Sequence, residues 1–246
     1  MLVLLPLALI TPTATGAGKQ EPVVHAAQAA GCPFTFIGLH GLNEDSSSPT
    51  IQTAWTQFNS LAEKRGLQSR AVFLNHPKLT FSEFFSQIVD QQNRDPISRA
   101  TGDLKDAATN AANRCHPARL VLVGYSEGAW IIDQWIQNAD STQLSQIAAV
   151  LVLGDPQWDN GDHGQGLARR ANMGINPYIP SKPLGDRFTS LCLPRDPVCG
   201  EGYGNDVVGQ FRDARNLQTA CGIHCSYTKN SIQSVVQTLV TNASTK

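Results

Sequence analysis

The chain has 246 residues, of which 41% are hydrophobic and 16% charged, with 20 glycines and 14 prolines. At roughly 100–200 residues per domain this is one large domain or two small ones, and a single α/β domain fills the length with a sizeable core. The 19 basic and 20 acidic residues leave a formal charge of −1, without the basic excess of a general nucleic-acid binder; low charge with ample Val, Ile and Leu excludes intrinsic disorder.

The chain opens on LVLLPLALI (2–10), an apolar run of nine residues. That is far short of the roughly 20 needed to span a bilayer, and it reads as the apolar region of a signal peptide. Thr15-Gly16-Ala17 and Ala27-Gln28-Ala29 offer small residues for cleavage, although no Lys or Arg precedes the run. Residues 1–29 are therefore read as a leader for secretion and 30–246 as the domain; the alternative is a buried element of the fold. Ala29-Ala30-Gly31-Cys32 lies some 20 residues past the run, too far for a lipoprotein box.

Beyond the leader, apolar runs alternate with helical patterns. Strands are expected at 33–39, 70–75, 119–124, 148–154 and 188–193. Helices are expected at 50–65, 80–92, 97–114, 127–139 and 231–240. Continuous apolar strands separated by helices imply a three-layer α/β/α sandwich around a mostly parallel sheet of about five strands. Residues 155–185, rich in Gly, Asn and Pro, read as a long loop over the C-terminal edge of that sheet, where such folds bind ligands.

The strongest chemical signal is Gly124-Tyr125-Ser126-Glu127-Gly128. G-x-S-x-G alone is weak, but RLVLV precedes it and AWIIDQWI follows it, which is the strand–turn–helix context of a nucleophile elbow. Flanking glycines let the backbone turn sharply and lift the Ser126 Oγ out of the sheet edge. The helix start behind it supplies N–H groups and partial positive charge. An oxyanion hole needs two donors: the backbone N–H of Glu127, and one from the loop HGLNEDSS (40–47), where Leu42 or Asn43 is the candidate. His40 is assigned a loop-shaping hydrogen bond.

A serine nucleophile needs a base and the base needs an orienting acid. Two histidines follow Ser126, His163 and His224. His163 could pair with Asp155, Asp159 or Asp162. His224 stands just before the last helix, and Asp196 follows the last strand. If Cys192 and Cys199 pair, Asp196 lies in a loop of eight residues. Closing it is worth roughly 2.5 kcal/mol on the chain-entropy estimate, against about 4.6 for the long loop that a Cys32–Cys115 bridge would close. The short bridge is thus better understood as a stiffener of one carboxylate, and Asp196 with His224 is preferred. Six cysteines in an exported chain suggest three disulfides; a metal cluster of Cys221, His224 and Cys225 is the less favoured alternative.

The chain resembles the cutinase family of serine esterases. GYSEGA is similar to that family's G-Y-S-Q-G-A elbow, LVLGDPQ to its next strand and loop, and CLPRDPVC to its C-x-x-x-D-x-V-C acid loop. Cys115 lies eleven residues before Ser126 and Cys32 opens the first strand, and the likeness spans residues 32 to about 240. The resemblance implies Ser126 as nucleophile, Asp196 as orienting acid and His224 as base. It also implies bridges Cys32–Cys115 and Cys192–Cys199, leaving Cys221–Cys225 as an extra local bridge. Two departures stand out. Glu127 replaces a usual Gln, and His40-Gly41-Leu42-Asn43-Glu44 replaces R-G-S-x-E, so the hole leans on backbone donors.

The expected protein is a secreted, monomeric serine carboxylester hydrolase. Its substrates are short- to medium-chain acyl esters of cutin, lipid or polyester type. No cofactor or metal, no nucleic acid and no stable membrane insertion are implied. An envelope-lipid esterase or an acyltransferase would use the same residues. From another class, an inactive surface-binding protein would keep the fold, with Glu127 and Leu42 in its favour.

Overall fold

Five apolar runs become strands: β1 (Phe34–Leu39), β2 (Ser69–Leu74), β3 (Arg119–Tyr125), β4 (Ile147–Leu153) and β5 (Phe188–Leu191). The computed structural model describes residues 32–77, 95–157, 181–194, 196, 198–200 and 222–245, all within the unit Gly31–Lys246. The strands form one sheet in the order β2-β1-β3-β4-β5, and every neighbouring pair is parallel. β1, β3 and β4 are almost wholly buried, because both faces are covered, and this is why their sequences are apolar without alternation.

The two faces carry different helices. α1 (Pro49–Lys64) and α6 (Lys229–Ser244) cover one, packing Phe58, Val236 and Leu239 against Phe34, Phe36, Val121 and Leu151. α2 (Asp95–Arg114) and α3 (Glu127–Asn138) cover the other, packing Leu104, Ile131 and Trp135 against Ile37, Leu39, Leu120 and Leu122. This is the expected three-layer sandwich. The expected helix 80–92 lies outside the described residues, as does all of the 155–185 loop except 155–157 and 181–185.

Differences from the sequence expectation are local. α4 (Ser141–Gln146) was not anticipated; it has no buried residue and is held by a capping box between Asp140 and Gln143. A short α5 (Ser181–Leu184) and a 3₁₀ turn (Gly185–Arg187) lead into β5. α6 is longer than 231–240, because Ala243 remains buried beyond the apolar stretch. No helix among the described residues is long and apolar enough to cross a membrane.

Cys32 is bonded to Cys115, tying the chain before β1 to the end of α2, and Cys192 is bonded to Cys199 across the loop after β5. Cys225 is also disulfide-bonded; Cys221, its expected partner, lies outside the described residues. Bonded sulfurs at Cys32 and Cys225 are incompatible with lipidation of the first and with metal ligation by a thiolate of the second.

Parallel pairing places the ends of β1, β3 and β4 side by side: Leu39 aligns with Gly124, and Tyr125 with Leu153. The loops that leave these three strands therefore converge on one edge, and an order change such as that at β1 is where open α/β sheets bind ligands. The sheet core is the support of that edge. Leu122→Ala, at a fully buried position, is expected to cost about 2–5 kcal/mol, and loss of the Asp140 cap in Asp140→Ala about 0.5–2 kcal/mol. Urea denaturation of both variants checks the ranking.

Candidate active site

The turn from β3 into α3 has almost no steric slack. A Cβ on Gly124 would lie 2.5 Å from the Gly128 carbonyl oxygen, and one on Gly128 would lie 2.4 Å from the Leu39 carbonyl oxygen. Both motif glycines are thus required by close approach. Ser126 between them has φ 55°, a left-handed conformation that costs a non-glycine residue about 1–3 kcal/mol. Its N–H donates to the Leu153 carbonyl at 2.8 Å, and its own carbonyl accepts from Ala129 at 3.0 Å, so β4 and α3 hold the strained residue from both sides.

His224 Nε2 lies 2.8 Å from Ser126 Oγ, and its Nδ1 lies 3.0 and 2.9 Å from the two oxygens of Asp196. A carboxylate only accepts, so Nδ1 carries the proton and Nε2 presents its lone pair to Ser126. Asp196 is fully buried and further accepts from the Tyr227 hydroxyl at 2.7 Å and the Val198 N–H at 2.8 Å. Burial pushes its carboxyl up, but the hydrogen bond and electrostatic attraction of His224, with the bonds from Tyr227 and Val198, outweigh burial and hold it below the usual carboxylate range. The Tyr227 phenol is pushed well above its ordinary value by burial and by Asp196, so it stays a donor.

The frame around this group is tight. The Cys192–Cys199 bridge closes the acid loop, Asp196 N–H donates to Leu193 at 3.0 Å, and Leu193 N–H donates to the Tyr227 oxygen at 3.2 Å. The Tyr125 hydroxyl donates to the His224 carbonyl at 2.7 Å, and the two rings stack at 5.1 Å. Gly154, at φ 60°, leaves space that a Cβ would fill 2.7 Å from His224 Cε1. Sequence reading missed Tyr227, Tyr125 and Gly154 as positioning residues. Tyr125 and Gly154 lie inside motifs already singled out; Tyr227 carries no signal beyond standing three residues after His224.

Of the other sequence candidates, His163 lies outside the described residues, and Asp155 is buried with Oδ1 accepting the Gln157 N–H at 2.7 Å. Of the candidate oxyanion donors, Leu42 packs against the core and Asn43 is exposed at φ 60°. Their loop is anchored by Glu44, whose Oε2 accepts the Gly41 N–H at 2.8 Å and the Ser48 hydroxyl at 2.9 Å. His40 plays the loop-shaping part expected of it, with Nδ1 2.9 Å from the Gly41 carbonyl. His76, unnoticed in the sequence, donates from Nε2 to the His40 carbonyl at 3.0 Å and stacks on the His40 ring at 3.7 Å. Burial first, then His40, lowers the His76 pKa to about 4, so it is neutral around pH 7. The Glu127 side chain is buried.

The Cutinase family model matches residues 45–242. "Probable carboxylesterase Culp3" of Mycobacterium tuberculosis is 30% identical over 112 residues, 42% of this chain and 38% of that protein. The chain thus spans well under half the length of that relative. "Carboxylesterase Culp1" of the same species is 24% identical over 238 residues, 96% of this chain and 89% of that protein. Among solved structures, a cutinase-like protein from Cryptococcus sp. superposes with a TM-score of 0.58 at 16% identity, covering 87% of this chain and 97% of that one. The match runs from the loop after β1 to the last helix, and the chain belongs to the Cutinase family.

Proposed function

We propose that the protein is a secreted, monomeric serine carboxylester hydrolase acting on short- to medium-chain acyl esters of lipid or polyester type. Residues 1–29 are its leader and 30–246 its catalytic domain. The observation that carries the reading is the unbroken hydrogen-bonded line Ser126–His224–Asp196, built from three loops at one sheet edge. Family membership supports the ester bond as the target, and the disulfides support export.

Ser126 Oγ attacks the ester carbonyl carbon as His224 Nε2 takes its proton. The negative oxygen that forms is held by the backbone N–H of Glu127 and by that of Leu42 or Asn43. Asp196 keeps the proton on Nδ1 and stabilises the transient imidazolium. The intermediate collapses, and His224 passes its proton to the leaving alcohol. A water deprotonated by His224 then releases the acyl group from Ser126.

The direct test is hydrolysis of p-nitrophenyl butyrate by the purified mature chain. Ser126→Ala is expected to lower kcat by about a thousandfold or more. Wild-type protein inactive on a full acyl-length series would instead favour the inactive binding protein.

Gly154→Ala places a methyl against the His224 ring at a backbone angle that alanine resists. It is expected to lower kcat by at least about tenfold with little change in KM, since misplacing a catalytic group by a fraction of an ångström is costly. Steady-state kinetics on the same ester separates the two parameters.

Tyr227→Phe removes an O–H donor to the buried Asp196 carboxylate, a class of bond worth about 1.5–3 kcal/mol. The depressed Asp196 pKa contributes stability above its ordinary value of 3.8, and that contribution is lost as pH falls through the folded value. The deficit of the variant is therefore expected to be largest at neutral pH and to shrink in acid, measured by urea denaturation across that range.

A further inference from the structure

We propose that the side chain of Glu127 works as a neutral carboxylic acid beside the oxyanion position, and that its ionisation switches the site off. The inference rests on the serine-hydrolase reading above and adds to it a residue that acts on the reaction through its field. Glu127 opens α3, directly after Ser126, and its backbone N–H is the proposed oxyanion donor. Its side chain therefore stays within one residue of the place where negative charge develops.

The described surroundings give that carboxyl no donor that would hold a charge. Glu127 is 2% exposed, and its Oε2 is buried with no hydrogen-bond partner among the described residues. The start of α3 is pressed against the Leu39 and His40 carbonyls, which leaves its first turn closed on that side.

Among the described residues, neighbouring elements bring no compensating cation. β1 and its loop contribute His40 and Glu44. His40 is turned to the Gly41 carbonyl, and Glu44 is occupied by Gly41 and Ser48. The loop after β2 contributes His76, which is neutral around pH 7. β3 contributes the Tyr125 phenol, raised by burial and engaged with His224. The loop after β4 contributes Asp155, and α3 itself carries the buried Asp133. α2 meets α3 through Ile97, Ala100, Leu104 and Ala108, while its Arg99, Asp103, Lys105 and Asp106 are exposed. His224 is turned to Ser126 and Asp196. No ion pair joins any of these groups to Glu127 among the described residues.

Two effects oppose each other at this position. The helix N-terminus favours a negative charge in its first turn, an effect of modest size. Desolvation disfavours it, and desolvation wins: burial alone raises the carboxyl to about 8. Below that pH the side chain is neutral and tolerates a new oxyanion nearby. Above it, a fixed carboxylate repels the oxyanion at a separation of several ångströms in a low-dielectric site. At an effective dielectric near 20, that repulsion corresponds to a rate loss of roughly ten- to a hundredfold. The proton leaves Glu127 to solvent base, and no other bond changes.

The experiment is the pH profile of kcat and KM for p-nitrophenyl butyrate from pH 6 to 10, for wild type and Glu127→Gln, corrected for spontaneous hydrolysis. The readout is the ratio of kcat at pH 9.5 to kcat at pH 7 within each protein. Wild type is expected to fall roughly ten- to a hundredfold with a midpoint near 8 and KM little changed; the variant, which cannot ionise, is expected to show no such fall. An active wild type with a flat profile, or a variant that falls in parallel, overturns the proposal and leaves the hydrolase reading intact. Absence of any Ser126-dependent hydrolysis overturns both. A second measurement does not depend on the variant folding. The infrared stretch of a protonated carboxyl in wild type is expected to persist above pH 6 and to disappear with a midpoint near 8; no protonated carboxyl above pH 6 overturns the proposal.

Discussion

The candidate site depends on one strained residue. Ser126 is held at φ 55° because the chain must leave β3, turn within a single residue and enter α3. Locally it is held only by the first turn of α3, whose Ala129 N–H donates to the Ser126 carbonyl. It persists because Ser126 N–H is bonded to Leu153 at the end of the neighbouring strand, and because α3 packs into the sheet through nine buried residues of its twelve. The strain is small beside the burial of Ile131, Ile132 and Trp135 that fixes the helix in place. The elbow is therefore a tertiary structure, and the glycines permit it without causing it.

Around that fixed point, three parallel strands deliver three loops. The end of β1 brings the candidate oxyanion loop, β3 brings Ser126, and the chain after β5 brings the loop of Asp196; His224 is brought by the turn before α6. His224 is gripped from several sides: Tyr125 holds its carbonyl and stacks on its ring, Gly154 makes room for it, and Asp196 holds Nδ1. In the proposed mechanism this grip matters more than any single bond, because the histidine must serve one oxygen after another without turning.

The strands were legible because a parallel sheet buried on both faces demands unbroken apolar runs, and RLVLV and AAVLVL can do little else. The G-x-S-x-G signal was legible because its chemistry is local. Asp196 and His224 were legible as a pair through cysteine spacing and chain order, and the structure brings them together with Ser126. What escaped was set by contact across the fold. Tyr227 reaches Asp196 over 31 positions and His76 reaches His40 over 36, and neither sequence neighbourhood carries a pattern that would announce it. α4 escaped for the opposite reason. It buries nothing, so hydrophobic periodicity is silent and only the Asp140 cap marks it.

Two buried carboxyls close to the same serine have been driven in opposite directions, and the cause is the number of donors each one meets. Asp196 has His224, the Tyr227 hydroxyl and the Val198 N–H directed at it, and these outweigh burial. Glu127 has no such partner among the described residues, and burial alone decides. The result is a fixed negative charge behind the histidine, where in the proposed mechanism a developing imidazolium gains from it, and a carboxyl without donors directly after the serine. Replacing Gln by Glu after the nucleophile need not place a charge beside the oxyanion, because a buried carboxyl without donors behaves as a neutral group of nearly the same shape. That equivalence holds only while the carboxyl keeps its proton, so on the proposal made above the substitution makes pH a variable of the oxyanion hole.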